Sequence, residues 1–148
     1  MRIAVIADTH DRLPPALLGR IGGADEIWHL GDVTAPTVLA AIETTGRPVR
    51  VVRGNCDDCD DWPITLDLEI EGFRVHLTHI PPSKPPPRAE IVLHGHTHIP
   101  RDEIVGGVRV LNPGCITRPN RGAPASYAWL ELERGKPIGW RVIPAPVF

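Results

Sequence analysis

Residues 2–7, Arg-Ile-Ala-Val-Ile-Ala, are apolar at both parities after the first position, the pattern of a strand buried on both faces, and the run breaks off into Asp8-Thr9-His10. The pattern recurs twice. Ile27-Trp28-His29-Leu30 passes into Gly31-Asp32, and residues 49–52 pass into Arg53-Gly54-Asn55-Cys56-Asp57. Between these runs, residues 14–21 begin with proline and stop at Gly22-Gly23, while residues 35–45 place Val38, Leu39 and Ile42 at helical spacing before Gly46. Three strand-helix units in succession predict an α/β sheet with parallel strands. The remainder is strand-rich. Thr65–Ile70 and Phe73–Thr78 flank Glu71-Gly72 as a hairpin, and residues 90–93 form a short buried strand. Residues 103–105 with 108–111, around Gly106-Gly107, and residues 126–133 with 138–143, around Arg134-Gly135-Lys136-Pro137, read as two further hairpins. These complete a second sheet packed on the first, with Trp129 and Trp140 in the core between them.

Composition narrows what such a fold can do. A chain of 148 residues that is 42% hydrophobic has the length and apolar content of one domain, residues 1–148. Sixteen basic and eighteen acidic residues give a net charge of -2, which excludes bulk electrostatic attraction to nucleic acid or an anionic membrane. No apolar run approaches the roughly 20 residues of a membrane span. Asp8 also interrupts the N-terminus before a signal peptide could form. Cys56, Cys59 and Cys115 are few and odd in number, as suits free thiols in a reducing compartment, so a cytoplasmic location is expected. Acidic neighbours Asp57, Asp58, Asp60 and Asp61 argue against a redox role for the Cys56-x-x-Cys59 pair.

The chemistry sits where strands end. Asp8 and His10 share parity, as do His96 and His98 in His94-Gly95-His96-Thr97-His98, so in extended chain each pair converges on one site. Neighbouring neutral imidazoles suit a metal, and Asp32 follows a glycine that permits close backbone approach. His29, inside its strand, reads as a core or supporting histidine, and His76 as a face residue.

Asp8-x-His10, Gly31-Asp32, Gly54-Asn55, the later His79 and Gly95-His96-x-His98, in that order, resemble the calcineurin-like metallophosphoesterases, in particular their small bacterial and archaeal phosphodiesterase branch. The likeness runs from residue 1 to about residue 118 and includes Asn112-Pro113-Gly114-Cys115, where that branch usually carries Asn-Pro-Gly-Ser. The resemblance implies an αββα fold, a two-sheet sandwich flanked by helices. It also implies two divalent metals, one held by Asp8, His10, Asp32 and His98 and the other by Asp32, Asn55, His79 and His96. Asp32 would bridge them, and Asp32, Asn55 and His96 would be catalytic. Manganese heads the ions this nitrogen and oxygen set suits, followed by iron, zinc, nickel and cobalt. The implied reaction is hydrolysis of a small phosphoester, a diester above all, by metal-bridging hydroxide.

Two departures qualify the likeness. Many relatives follow Gly-Asn with a histidine suited to protonating the leaving group; here the position is Cys56, which favours aryl phosphodiesters over alkyl monoesters. Relatives also carry a helix between His79 and His96. Here Pro81-Pro82-Ser83-Lys84-Pro85-Pro86-Pro87-Arg88 predicts a stiff, extended loop, leaving the crevice wider or open to a partner chain. The alternatives are an interaction scaffold, as this fold provides in the retromer complex, and a structural single-zinc protein. The latter needs only four ligands. Homo-oligomerisation is left open by the residues.

Overall fold

The computed structural model describes residues 1–148. In chain order the elements are β1 (Arg2–Ile6), α1 (Pro15–Ile21), β2 (Glu26–His29), α2 (Pro36–Glu43), β3 (Val49–Val51), β4 (Thr65–Ile70), β5 (Phe73–Thr78), β6 (Ile91–Leu93), β7 (Arg101–Val105), β8 (Val108–Asn112), β9 (Ser126–Glu131) and β10 (Gly139–Pro144). Both helices start with proline in their first turn, where a missing N–H costs nothing.

The strands form two five-stranded mixed sheets, ordered β10-β9-β1-β2-β3 and β4-β5-β6-β8-β7. In the first, β1, β2 and β3 run parallel; in the second, β5, β6 and β8 do. One apolar cluster lies between the sheets, joining Ile3, Val5, Trp28 and Leu30 of the first to Val75, Leu77, Ile91, Leu93 and Leu111 of the second. A second cluster lies between the first sheet and its helices, where Ala4, Ile6 and Ile27 meet Leu17, Ile21, Val38 and Ile42. Both faces of β1 are therefore covered, which is why its sequence does not alternate.

The layers are helix, sheet, sheet. Residues 80–90 contain neither helix nor strand, so the proline-rich loop stands where a covering helix was absent from the sequence pattern. No helix is long and apolar enough to cross a membrane.

Two sequence expectations are corrected. The β9-β10 hairpin does not extend the second sheet: β9 pairs antiparallel with β1, placing the hairpin at the edge of the first. That edge of β1 would otherwise present unpaired backbone groups. Trp129 follows this placement. It lies opposite Ala4 and packs with it on the helix side of the first sheet, while Trp140 packs against the core between the sheets.

Candidate metal centre

Every residue singled out as a metal ligand follows a parallel strand: Asp8 and His10 follow β1, Asp32 β2, Asn55 β3, His79 β5, and His96 and His98 β6. Parallel strands in both sheets deliver their ends to one crevice, the usual location for sites in open α/β sheets.

The convergence does not come from extended alternation, and this corrects the parity argument. Asp8, His10, Asp32, His96 and His98 all have positive φ, between 43° and 72°. Such left-handed backbone is uncommon outside glycine, persists only where surrounding contacts over-determine it, and gathers at functional sites. The contacts are visible. Loop 8–11 pairs with loop 31–33 through Asp8 N–H to Gly31 O, His10 N–H to Asp32 O and Asp11 N–H to Val33 O, at 3.0, 3.1 and 3.1 Å. The histidine loop is tied to His79 by Gly95 N–H to His79 O (3.0 Å) and to Asp8 by His96 N–H to Oδ2 (3.1 Å). Two glycines allow this crowding: a Cβ on Gly54 would run into the Asp32 carboxylate, and one on Gly95 would sit 2.9 Å from Asp8 Oδ2.

With its Oδ2 taken by His96 N–H, Asp8 points Oδ1 inward, 3.3 Å from His98 Nε2 and 3.9 Å from both His10 Nε2 and His79 Nε2. Asp32 accepts Cys56 N–H at Oδ1 (2.9 Å) and presents Oδ2 to His79 Nε2 at 3.3 Å and His10 Nε2 at 3.7 Å. Nδ1 of His79 donates to Leu30 O (2.7 Å) and Nδ1 of His98 to Arg118 O (2.6 Å), which turns both Nε2 atoms into the crevice. His10 and His98 oppose Nε2 atoms at 3.3 Å. His96 packs edge-on to His79, ring centroids 5.2 Å apart, with Nδ1 3.1 Å from Asn55 Oδ1. All seven residues are thus brought together, Asp8 and Asp32 buried at the bottom and His96 and Asn55 exposed at the mouth.

Asp8 Oδ1 and His79 Nε2 are buried without a hydrogen-bond partner. Such orphans cost about 1–3 kcal/mol each unless something satisfies them, and a cation among these donors would satisfy both. The electrostatics agree. Burial pushes the Asp8 carboxyl up to about 6, against the pull of His79 and His98. Burial also opposes ionised Asp32, but His79 and the Cys56 N–H outweigh it and hold that carboxyl far below the usual range. His79 is raised despite its burial because Asp32 and Asp8 call for positive charge beside it. His10 is lowered, by burial first, and so favours the neutral form a metal ligand needs. Three overlapping sets, Asp8-His10-His98, Asp8-Asp32-His79 and His10-Asp32-Cys56, each hold their donor atoms within 4.8 Å of one another.

Supporting residues complete the centre. Asn112 donates through Nδ2 to Gly95 O and Thr97 Oγ1, both at 3.1 Å, and Cys115 Sγ donates to Asp8 O at 3.2 Å, so the Asn-Pro-Gly-Cys turn braces two ligand loops. His29 is fully buried and bonds Thr9 Oγ1 (3.0 Å) and Gly31 N–H (3.2 Å), the supporting role read from its position. His76 pairs with Asp67 at 2.8 Å, away from the ligands. Asp57 is the residue that sequence reading missed. Its Oδ2 accepts N–H groups of Asp32 (2.9 Å) and Gly54 (2.7 Å), and its Oδ1 that of Thr34 (2.8 Å), locking the β2 and β3 loops together. The one available signal was its place three residues after Gly54.

The model of the calcineurin-like phosphoesterase superfamily domain matches residues 1–135. The chain belongs to this family. Over 146 residues it is 34% identical to a probable metallophosphoesterase of Methanothermobacter thermautotrophicus, covering 84% of this chain and 83% of that protein. It is 31% identical to the phosphodiesterase YfcE of Escherichia coli, covering 88% of each. The structure of YfcE superposes with a TM-score of 0.75 at 28% identity over 88% of each chain. Vps29 of Entamoeba histolytica, solved with zinc, reaches 0.77 at 22% identity over 97% of this chain and 98% of its own, a likeness of fold. The family is one of metal-dependent phosphoesterases, and the crevice offers a site fit for divalent metal.

Proposed function

We propose that residues 1–148 act as a single phosphodiesterase domain that hydrolyses P–O bonds at a dinuclear divalent-metal centre, manganese being the ion its mixed donors suit first. The observation that carries the reading is the pair of buried, unpartnered ligand atoms, Asp8 Oδ1 and His79 Nε2, at the centre of the cluster. Asp8, His10, Asp32 and His98 would hold one ion, and Asp32, Asn55, His79 and His96 the other. Divalent ions held by these residues would supply polarisation of the phosphoryl oxygens and a water whose pKa is lowered toward about 7. His10 and His79 both lie within 3.7 Å of Asp32 Oδ2, which supports Asp32 as the ligand the two ions would share. Asn55 and His96 are exposed at the mouth, which supports a role for them in contacting an incoming phosphoester.

The chain supplies no imidazole at Cys56 to protonate the leaving group. Substrates whose leaving groups depart unaided, aryl phosphodiesters, are favoured over alkyl monoesters. The similarity to a protein named a phosphodiesterase supports a diester as the substrate. The three free cysteines are consistent with work in the cytoplasm.

The test is hydrolysis of bis-p-nitrophenyl phosphate by metal-stripped protein, with and without Mn²⁺, alongside Asp32→Ala. Turnover that requires metal and disappears in the variant is expected, with up to two ions bound per chain by metal analysis. A folded protein that turns over nothing with any divalent ion overturns the reading and leaves an interaction scaffold on this fold.

A further inference from the structure

Beside the metal centre lies a hollow of about 380 Å³, lined by Thr34, Pro36, Asp57, Asp58, Cys59 and Trp62. It is built from the two loops that carry Asp32 and Asn55, and a single side chain, Asp57, joins it to both: one Asp57 oxygen holds the Asp32 and Gly54 amides and the other the Thr34 amide. Its volume falls within the range of small-molecule sites. Its walls are chemically distinct from the metal crevice. Trp62 is half-buried and packed on the cluster beneath α2, so the indole is held in place, and Pro36 supplies a second rigid ring at the start of the helix. Thr34 completes the wall with φ 64°, an outlier for a β-branched residue, held by Asp57 and by its own hydroxyl donating to Asp11 Oδ1 at 2.5 Å.

The charges at this hollow select what enters it. Both Asp57 oxygens are occupied by backbone N–H groups, and Arg53 takes Asp60 at 2.7 Å, leaving the exposed Asp58 carboxylate at the rim as the acceptor. Neither lysine nor arginine lines the hollow, so an additional phosphate would meet only negative charge there. A flat, uncharged ring bearing N–H donors meets an aromatic face, a proline ring and a carboxylate.

We propose that this hollow is a specificity subsite for one ester group of the diester, an amino-bearing aromatic heterocycle such as a nucleobase, stacked on Trp62 and hydrogen-bonded to Asp58. The inference rests on the phosphodiesterase reading for its place in catalysis, but binding of the ring itself does not require metal. The assignment makes the substrate class a nucleoside phosphodiester.

The experiment has a binding arm and a turnover arm. Adenosine is titrated into metal-stripped protein while tryptophan fluorescence is followed, with purine riboside, which lacks the amino group, as comparison. Quenching by adenosine, abolished in Trp62→Leu, is expected, with a preference for adenosine over purine riboside that disappears in Asp58→Asn. In the turnover arm, the Mn²⁺-loaded protein is given the p-nitrophenyl esters of adenosine 5′-phosphate and of methyl phosphate. Stacking of a base on an aromatic side chain corresponds to roughly 5- to 100-fold, so kcat/KM should favour the nucleoside ester by that order, through KM, and Trp62→Leu should bring the ratio near one. Absence of adenosine quenching, or a nucleoside-to-methyl ratio that Trp62→Leu leaves unchanged, overturns the subsite. Adenosine quenching that depends on Trp62, in a protein that hydrolyses neither ester, supports the subsite and overturns the phosphodiesterase reading instead.

Discussion

Asp57→Asn tests whether a residue outside the ligand set holds the metal centre in shape. The Asp57 carboxylate accepts three backbone N–H groups, those of Asp32, Gly54 and Thr34, at 2.9, 2.7 and 2.8 Å. An asparagine oxygen can retain Asp32 and Gly54, but its amino group then faces the Thr34 N–H, donor against donor. Hydrogen bonds to a charged group contribute about 1.5–3 kcal/mol each and neutral ones about 0.5–1.5. One bond lost and two weakened therefore amount to about 3.5–6 kcal/mol, and because Asp57 is only half-buried the lower end applies, about 3.5 kcal/mol. For a domain of this size that lowers the thermal midpoint by roughly 7–14 °C. The consequence for function follows from Asp32, whose backbone is held by the same oxygen: its carboxylate moves relative to His79 and His10, and Mn²⁺ affinity should fall about 10–100-fold. Thermal denaturation of the metal-stripped protein and calorimetric titration with Mn²⁺ read the two effects separately. A midpoint within about 2 °C of the parent would refute the bracing argument. A lowered midpoint with unchanged affinity would refute the link from Asp57 to the centre.

Three further outcomes are expected. Gly54→Ala places a Cβ against the Asp32 carboxylate and backbone nitrogen, so urea denaturation should show a loss of about 1–3 kcal/mol and Mn²⁺ binding should weaken; an unaltered midpoint contradicts the close approach. His29 is fully buried with its imidazole pushed down by burial to about 3, so the unfolded chain takes up its proton first as pH falls. Its contribution is complete above pH 6.5 and about 2 kcal/mol of it is lost by pH 5; His29→Asn should flatten stability against pH in that window, and an unchanged slope counts against burial as the cause. Cys115→Ser retains a donor to Asp8 O and an acceptor for Arg118 N–H, whereas Cys115→Ala retains neither, so the alanine variant should be less stable by about 1 kcal/mol, and the reverse order in chemical denaturation would refute these hydrogen bonds.

Much of this protein could be read from its residues in isolation. Apolar runs that end in Asp, Asn or His marked the strands and placed seven polar side chains at their ends, because a strand buried on both faces has no other place for ionisable groups. The β4-β5 hairpin, with its turn at Glu71-Gly72, and the non-helical proline loop were equally local, since turn chemistry and the missing proline N–H act over a few residues. Three features belong to the tertiary structure. The apolar and aromatic residues of β9 and β10 say that they are strands and not which edge they join; β1 had an edge to cover, and that moved Trp129 to the helix side. Convergence of His96 with His98 and of Asp8 with His10 depends on left-handed backbone that neither Asp nor His prefers, imposed by hydrogen bonds between loops far apart in sequence. Asp57 was indistinguishable from its acidic neighbours until folding brought the amides of Asp32 and Thr34, 25 and 23 residues away, within reach of one carboxylate. A residue's own chemistry decides which contacts it can make, and only the closed chain decides which of them are within bonding distance.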